Sequence, residues 1–203
     1  MAPDSTAYAR AIALIDAANQ QDPNEEIVDG QGWPKERLYS ERMSEMLERF
    51  APQADEAMRI AVRAQHIQRW RSPRTDYPAG RQGYLQWRTA LYRFHAETVA
   101  RLMAEAGCGE EQIERVRQAV GKRARARNAD TQLLEDVAAL VFLEHYLLEF
   151  AHKHPEYDEE KWLDIIRKTW RKMSEPAHRF ALSGALSLPE PLLPLIRKAV
   201  AGR

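Results

Sequence analysis

The sequence predicts an all-α protein, a single-domain helical bundle of about eight to nine helices over residues 1–203. Three observations carry this. Apolar residues recur at i, i+3, i+4 and i+7 along most of the chain. No stretch shows the strict alternation of a half-buried strand. Only 9 glycines and 11 prolines occur in 203 residues, too few for a turn-rich β fold. Hydrophobic residues at 44% and charged residues at 30% give a globular balance, enough for one core and short for two domains.

The elements follow in order. Tyr8, Ile12 and Ile15 form a first apolar stripe, which Asp22-Pro23-Asn24 should end. The stretch from Asn24 to Trp33, with Gly30 and Gly32, reads as a loop. Pro34 suits a helix start, and Met43, Met46, Leu47 and Phe50 keep one face of that helix apolar. Pro52 opens the next, expected to run to about Trp70. Pro73, Pro78 and Gly80 make Arg71 to Gly80 an irregular loop. A long helix from about Arg81 to Ala106 should end at Gly107. Glu110 to Arg123 forms a shorter helix, and Arg123 to Ala129 a basic connector with Lys122, Arg125 and Arg127. Asp130 or Thr131 is the expected cap of a helix reaching His154, apolar on nearly every side from Leu133 to Leu148. Pro155 ends it. Asp158 to Ser174 follows, with Trp162, Ile165, Ile166 and Trp170 inward, and Pro189, Pro191 and Pro194 precede a short terminal helix.

Composition removes several classes of function. One cysteine, Cys108, permits neither an intrachain disulfide nor a cysteine-based metal site, and points to a reducing compartment. No secretory signal opens the chain, and its longest apolar run, Val137 to Leu143, is far below the ~20 residues that span a bilayer. A cytoplasmic location without membrane association is expected. The formal charge is zero, yet residues 59–93 hold eight arginines against one acid, Asp76; that segment is +7 and the remainder −7. Such segregation suits an anionic partner.

Three constellations could carry chemistry. In the first, a continuous helix would place Arg59, Val62, Arg63, His66, Arg69 and Trp70 on neighbouring rows of one face, running into Arg74 and Tyr77. Arginine forks grip phosphate or carboxylate, and Trp70, Tyr77, Tyr84 and Trp87 can stack on a base or sugar. Arg81 and Arg88 extend the set. The same face would also serve as a solvated surface covering apolar neighbours. The second is His95, inward beside Leu91, Val99 and Leu102, either a core histidine or a ligand. The third is Glu135 and Asp136, with Asp136 on the face of Leu133, Leu140 and Leu143 and Glu144 beside Val137, Val141 and Leu148. Buried carboxylates bind a metal, pair with arginine or act as bases; near a helix start they also simply favour its dipole. The pairs Glu149/His152 and Glu175/His178 have the spacing of di-iron ligands, without two further glutamates to complete the set. Phosphate loops, nucleophile elbows and zinc-finger spacings are absent from the sequence.

The runs RAQHIQRWRSPRTDYPAGRQGYLQWR, FHAE, LEDVAALVFLEH and RKTWRKMS, with YSERM at Tyr39 to Met43, resemble the family catalogued as domain of unknown function 4202, across essentially the whole chain. The helix order is also similar, more distantly, to the HD-type metal-dependent phosphohydrolases. That similarity implies an HD-like arrangement with His66 at the paired histidine, Asp136 at the distant aspartate, and HAETVARLMAEAG as the following helix. Ile67 replaces the pair's aspartate and Glu41 occupies the preceding helix, so the implied metal set is Glu41, His66, His95 and Asp136. The expectation is a divalent-metal hydrolase of a phosphorylated small molecule or nucleotide. His66, Glu135 and Asp136 would be catalytic, and Arg63, Arg69, Trp70, Arg74, Tyr77, Arg81, Tyr84, Trp87 and Arg88 would hold substrate. The alternative is a metal-free protein that binds an anionic ligand such as a nucleotide or RNA.

Overall fold

A computed structural model describes residues 5–122 and 128–201. The fold is all-α, with ten α-helices and one two-stranded hairpin among the described residues. The order is α1 (Ser5–Asn19), β1 (Glu25–Val28), β2 (Gln31–Pro34), α2 (Lys35–Phe50), α3 (Glu56–Arg63), α4 (Gly80–Ala106) and α5 (Glu110–Val120). Then come α6 (Ala129–Val141), α7 (Leu147–Lys153), α8 (Glu159–Trp170), α9 (Glu175–Leu182) and α10 (Leu193–Val200). Contacts group the chain into two compact units, Met1–Leu134 and Glu135–Arg203, with the boundary inside α6. The expected basic connector at Arg123, Arg125 and Arg127 lies outside the described residues. No described helix is long and apolar enough to cross a membrane.

In the first unit α4 packs on α1 and α5, and α3 on α1, α2 and α5. The α4 residues Trp87, Leu91, His95, Val99, Leu102 and Ala106, stepping by three and four, are all buried. Gly107 ends the helix at φ 88°, and the Cys108 N–H reaches back to the Met103 carbonyl at 2.9 Å, satisfying an orphan acceptor. Ile15, Met43, Met46, Leu47, Ile60, Ile67 and Met103 fill the interior. In the second unit α8 packs on α10, and Leu140, Leu143, Leu147 and Ile166 are fully buried.

Five local expectations need correction. Residues 24–33 hold a hairpin, not a loop: Glu25 pairs with Pro34 and Val28 with Gln31 across Asp29-Gly30. Both turn residues have positive φ, 52° and 79°, the type that Asp-Gly favours in two-residue hairpins. The third helix stops at Arg63 rather than about Trp70: Ala64 leaves helical geometry, Gln65 and Ile67 bond back three residues rather than four, and Gln68 adopts the left-handed region at φ 51°. The helix through His154 is interrupted by a π-type turn at Phe142–Tyr146. Its start is capped by Asn128, whose Oδ1 accepts from Asp130 N–H at 2.9 Å and Thr131 N–H at 3.2 Å, ahead of the acid and threonine expected to do so. Finally, Asp158 to Ser174 contains a shorter helix, after which Ser174 caps the unforeseen α9 with Pro176 in its first turn.

Candidate functional site

The break after α3 builds the site. Ala64 to Gln68 form successive turns rather than a helix, and two buried side chains hold them from outside. The Asn19 side-chain carbonyl accepts the Gln68 N–H at 3.0 Å, and His95 Nδ1 lies 2.9 Å from the Ile67 carbonyl. A residue other than glycine at positive φ costs about 1 kcal/mol or more, so these contacts must over-determine the turn. The turn carries His66 and Arg69 away from the α3 face where sequence spacing put them.

A second clip sets α2. Asp22 Oδ2 accepts the Glu36 N–H at 3.0 Å, while its Oδ1 takes both the backbone and side-chain N–H of Asn24. Glu36 is thereby buried, at 7% exposure, in the first turn of α2, with Tyr39 one turn on. The His66 ring stacks on Tyr39 at 4.2 Å and 12°, and its Nδ1 stands 3.6 Å from Glu36 Oε2.

Hydrogen bonding fixes the tautomer of one imidazole and not of the other. At His66 the same Arg69 guanidinium nitrogen lies 3.1 Å from Nε2 and 3.4 Å from Nδ1, so it approaches both ring nitrogens without selecting a tautomer. A carbonyl only accepts, so His95 donates Nδ1–H to Ile67 and its Nε2 is a bare acceptor, buried with no partner among the described residues. The two imidazoles lie 6.0 Å apart.

Electrostatics keeps this group largely uncharged apart from Arg69. Burial pushes the Glu36 carboxyl up to about 7, against the pull of Arg69. Burial, then the neighbouring Arg69, holds His66 well below the usual imidazole range. Burial lowers His95 to about 4, against its bond to the Ile67 carbonyl. Below about pH 7 Glu36 and His66 are thus two neutral groups side by side, not an ion pair: desolvation penalises both charges, and Arg69 opposes a second cation.

The arginines sort sharply. Arg63 grips Asp16 with two bonds, Nε to Oδ1 at 2.7 Å and an NH to Oδ2 at 3.0 Å, and Arg37 pairs with Asp16 and with Glu41 at 2.6 Å. That network ties α1, α2 and α3. Arg74 donates to the carbonyls of Tyr77, Pro78 and Gly80, knitting its own loop. Trp87 Nε1 donates to the Ser72 carbonyl at 2.8 Å, and Gly83 admits the Pro78 carbonyl where a Cβ would stand 1.8 Å from it. By contrast, Arg69 lies over Trp87 at 5.2 Å and Arg88 against Tyr84 and Tyr92, neither with a carboxylate partner among the described residues. Trp70 and Tyr77 are half-buried nearby in sequence, and Arg81 is exposed in the first turn of α4.

The first unit therefore brings together His66, Arg69, Trp87 and His95 of the expected set and adds Glu36 and Tyr39, which the sequence reading passed over. Asp22-x-Asn24 ahead of a proline-led helix was the one available signal for Glu36. Glu41 and Arg63 serve the ion-pair network instead. In the second unit Glu135 and Asp136 are buried, and the Asp136 oxygens accept Ser174 N–H at 2.7 Å and Ser174 Oγ–H at 2.5 Å, which fixes the start of α9. Glu149 pairs with Lys153, Glu175 with Arg179, and His178 bonds to the Trp170 carbonyl, so neither Glu-x-x-His pair points at a common centre. Among the described residues, no group of three or more His, Cys, Asp or Glu side chains is disposed to hold a metal ion. Within the first unit Glu41 pairs with Arg37, and Glu36 rather than Glu41 stands beside His66.

A family model, domain of unknown function 4202, matches residues 9–196. The chain belongs to this family. The match runs from within α1 to the middle of α10, so every site residue named above lies within the family's domain. No curated protein and no solved structure matches the chain.

Proposed function

We propose that this member of the family is an enzyme acting on a phosphate-bearing small molecule by general acid–base catalysis, with Glu36 and His66 moving the proton and Arg69 binding the anion. The observation that carries the reading is the juxtaposition of a buried carboxyl poised near neutrality, a neutral imidazole beside Arg69, and that arginine's lack of a carboxylate partner among the described residues. A carboxyl near 7 is matched to proton transfer at neutral pH. A guanidinium stacked on indole is pre-oriented for a phosphoryl group and strengthens as charge develops there. Hydrolysis of a phosphate ester is the simplest reaction using these parts: neutral His66 takes a proton from water as it attacks phosphorus, and protonated Glu36 gives its proton to the leaving oxygen as the ester P–O bond breaks.

The test is phosphate release from a panel of phosphate esters and nucleotides by wild type, Glu36→Gln and Arg69→Ala, each with and without added divalent ions and chelator. The reading expects turnover that Glu36→Gln lowers by about 10²–10⁴ and Arg69→Ala weakens in both kcat and KM. Tight binding with no turnover of any substrate would instead make the chain a binding protein for the anion. Turnover that vanishes with chelator and returns with metal would restore the metal-dependent hydrolase. Neither binding nor turnover would remove the site.

A further inference from the structure

Beyond Arg69 the cluster continues along α4 as an alternation of cations and rings. The Arg69 guanidinium lies 5.2 Å from the Trp87 ring, Trp87 lies 6.0 Å from Tyr84, and Tyr84 lies 5.8 Å from the Arg88 guanidinium. Arg88 then lies 5.1 Å from the Tyr92 ring, and the Lys122 ammonium 5.1 Å from that same ring. Tyr84, Arg88 and Tyr92 occupy one row of α4 at i, i+4 and i+8, a span of about 12 Å. Arg88 is fixed rather than free to swing: its Nε donates to the Tyr92 hydroxyl at 3.0 Å and an NH to the Tyr84 hydroxyl at 3.1 Å.

Two features define what fits. Arg88 stands against two tyrosine rings with no carboxylate partner among the described residues, which leaves its charge available to an anion. Arg69 supplies a separate cation, so the ladder offers more than one anionic contact. The rings, however, are not equally available. Trp87 is 9% exposed and Tyr92 half-buried, whereas Tyr84 is 42% exposed. A nucleic-acid strand needs successive open rings on which to stack successive bases. This ladder has one.

We propose that the ligand is a single nucleoside polyphosphate, its phosphates spread over Arg69 and Arg88 and its base against Tyr84. The inference rests on the anionic-substrate reading above and narrows its substrate class.

Titration calorimetry on the full chain tests it with inorganic phosphate, inorganic triphosphate, adenosine mono-, di- and triphosphate, and a single-stranded RNA oligomer. Affinity should rise about tenfold from the mono- to the diphosphate, one further charge-assisted contact, and be no weaker for the triphosphate. Arg88→Gln should cost the di- and triphosphate about tenfold and leave the monophosphate within twofold, while Tyr84→Ala should weaken the nucleotides and spare inorganic triphosphate. Equal affinity for mono- and triphosphate overturns this inference and leaves the proposed function standing. Equal affinity for inorganic triphosphate and nucleotide overturns the base contact. An oligomer that binds more tightly than the triphosphate assigns the ladder to a strand, and no binding by any phosphate species overturns both proposals. Circular dichroism of each variant separates lost contacts from lost fold.

Discussion

Replacing Glu36 by glutamine should stabilise the protein above neutral pH while disabling the site. Glu36 is 7% exposed, and burial lifts its carboxyl from 4.5 to about 7. Between those values the folded chain keeps a proton that the unfolded chain releases. Stability therefore falls as pH rises through this window, by ~1.4 kcal/mol per pH unit for the one proton. From 4.5 to about 7 the loss sums to about 3 kcal/mol, absent below the window and complete above it. Glutamine has the same shape and no charge, so the variant should escape that loss.

His95 runs the other way. Its ring is held at about 4 against an ordinary 6.5, so the unfolded chain binds the extra proton and stability rises with pH between those limits. From about 4.5 to 6.5 the two slopes oppose and largely cancel, which hides both in the wild type. Urea unfolding at about pH 4.5, 6 and 8 resolves them. The Glu36→Gln advantage should be near zero at the lowest pH and about 3 kcal/mol at the highest. His95→Gln, which keeps a donor for the Ile67 carbonyl, should lose the rising slope and decline in stability with pH. A Glu36→Gln protein less stable than wild type at pH 8 would mean that Glu36 is ionised against an imidazolium at His66, and the neutral-pair account would be refuted.

Other outcomes follow from named contacts. Arg63→Ala breaks two bonds to Asp16 and should lower stability by about 1–3 kcal/mol with nucleotide affinity unchanged within twofold, separating this arginine from Arg69. Asn19→Ala leaves the Gln68 N–H buried without its acceptor; thermal melting should drop by an amount equivalent to about 1–3 kcal/mol, and ligand affinity should fall with it because the turn carries His66 and Arg69. Asp136→Ala removes both acceptors of Ser174, so chemical denaturation should report a loss of about 2–4 kcal/mol; turnover per folded molecule unchanged would establish that the residue acts structurally. If Glu36 is the general acid, kcat should fall tenfold per pH unit above about 7, and a profile flat to pH 9 would remove it from that role.

How legible the molecule was depends on the range of the contacts that shape each part. The long α4 could be read from its own residues, since the apolar row through Trp87, Leu91, His95 and Val99 and the terminal Gly107 are local signals. The hairpin was local as well, but Glu25 and Glu26 obscured its alternation and only Asp29-Gly30 marked it. The end of α3 was not local. Arg63 to Trp70 contains no glycine or proline, and the left-handed turn at Gln68 depends on Asn19, 49 positions earlier, and on His95, 28 positions beyond Ile67. The sorting of arginines was equally remote, because Arg63 is neutralised by Asp16 across 47 positions while Arg69, six residues on, finds aromatic rings.

That remoteness has a physical consequence for function. Glu36, His66, Arg69 and His95 come from α2, the strained turn and α4, and the turn is held by α1 and α4 together. No one of these elements can open without releasing another. The site should therefore behave as a cooperative part of the first unit rather than as a mobile loop. In hydrogen exchange the Gln68 amide, bonded to Asn19, should exchange no faster than the α1 and α4 core amides, despite sitting in a segment without regular structure.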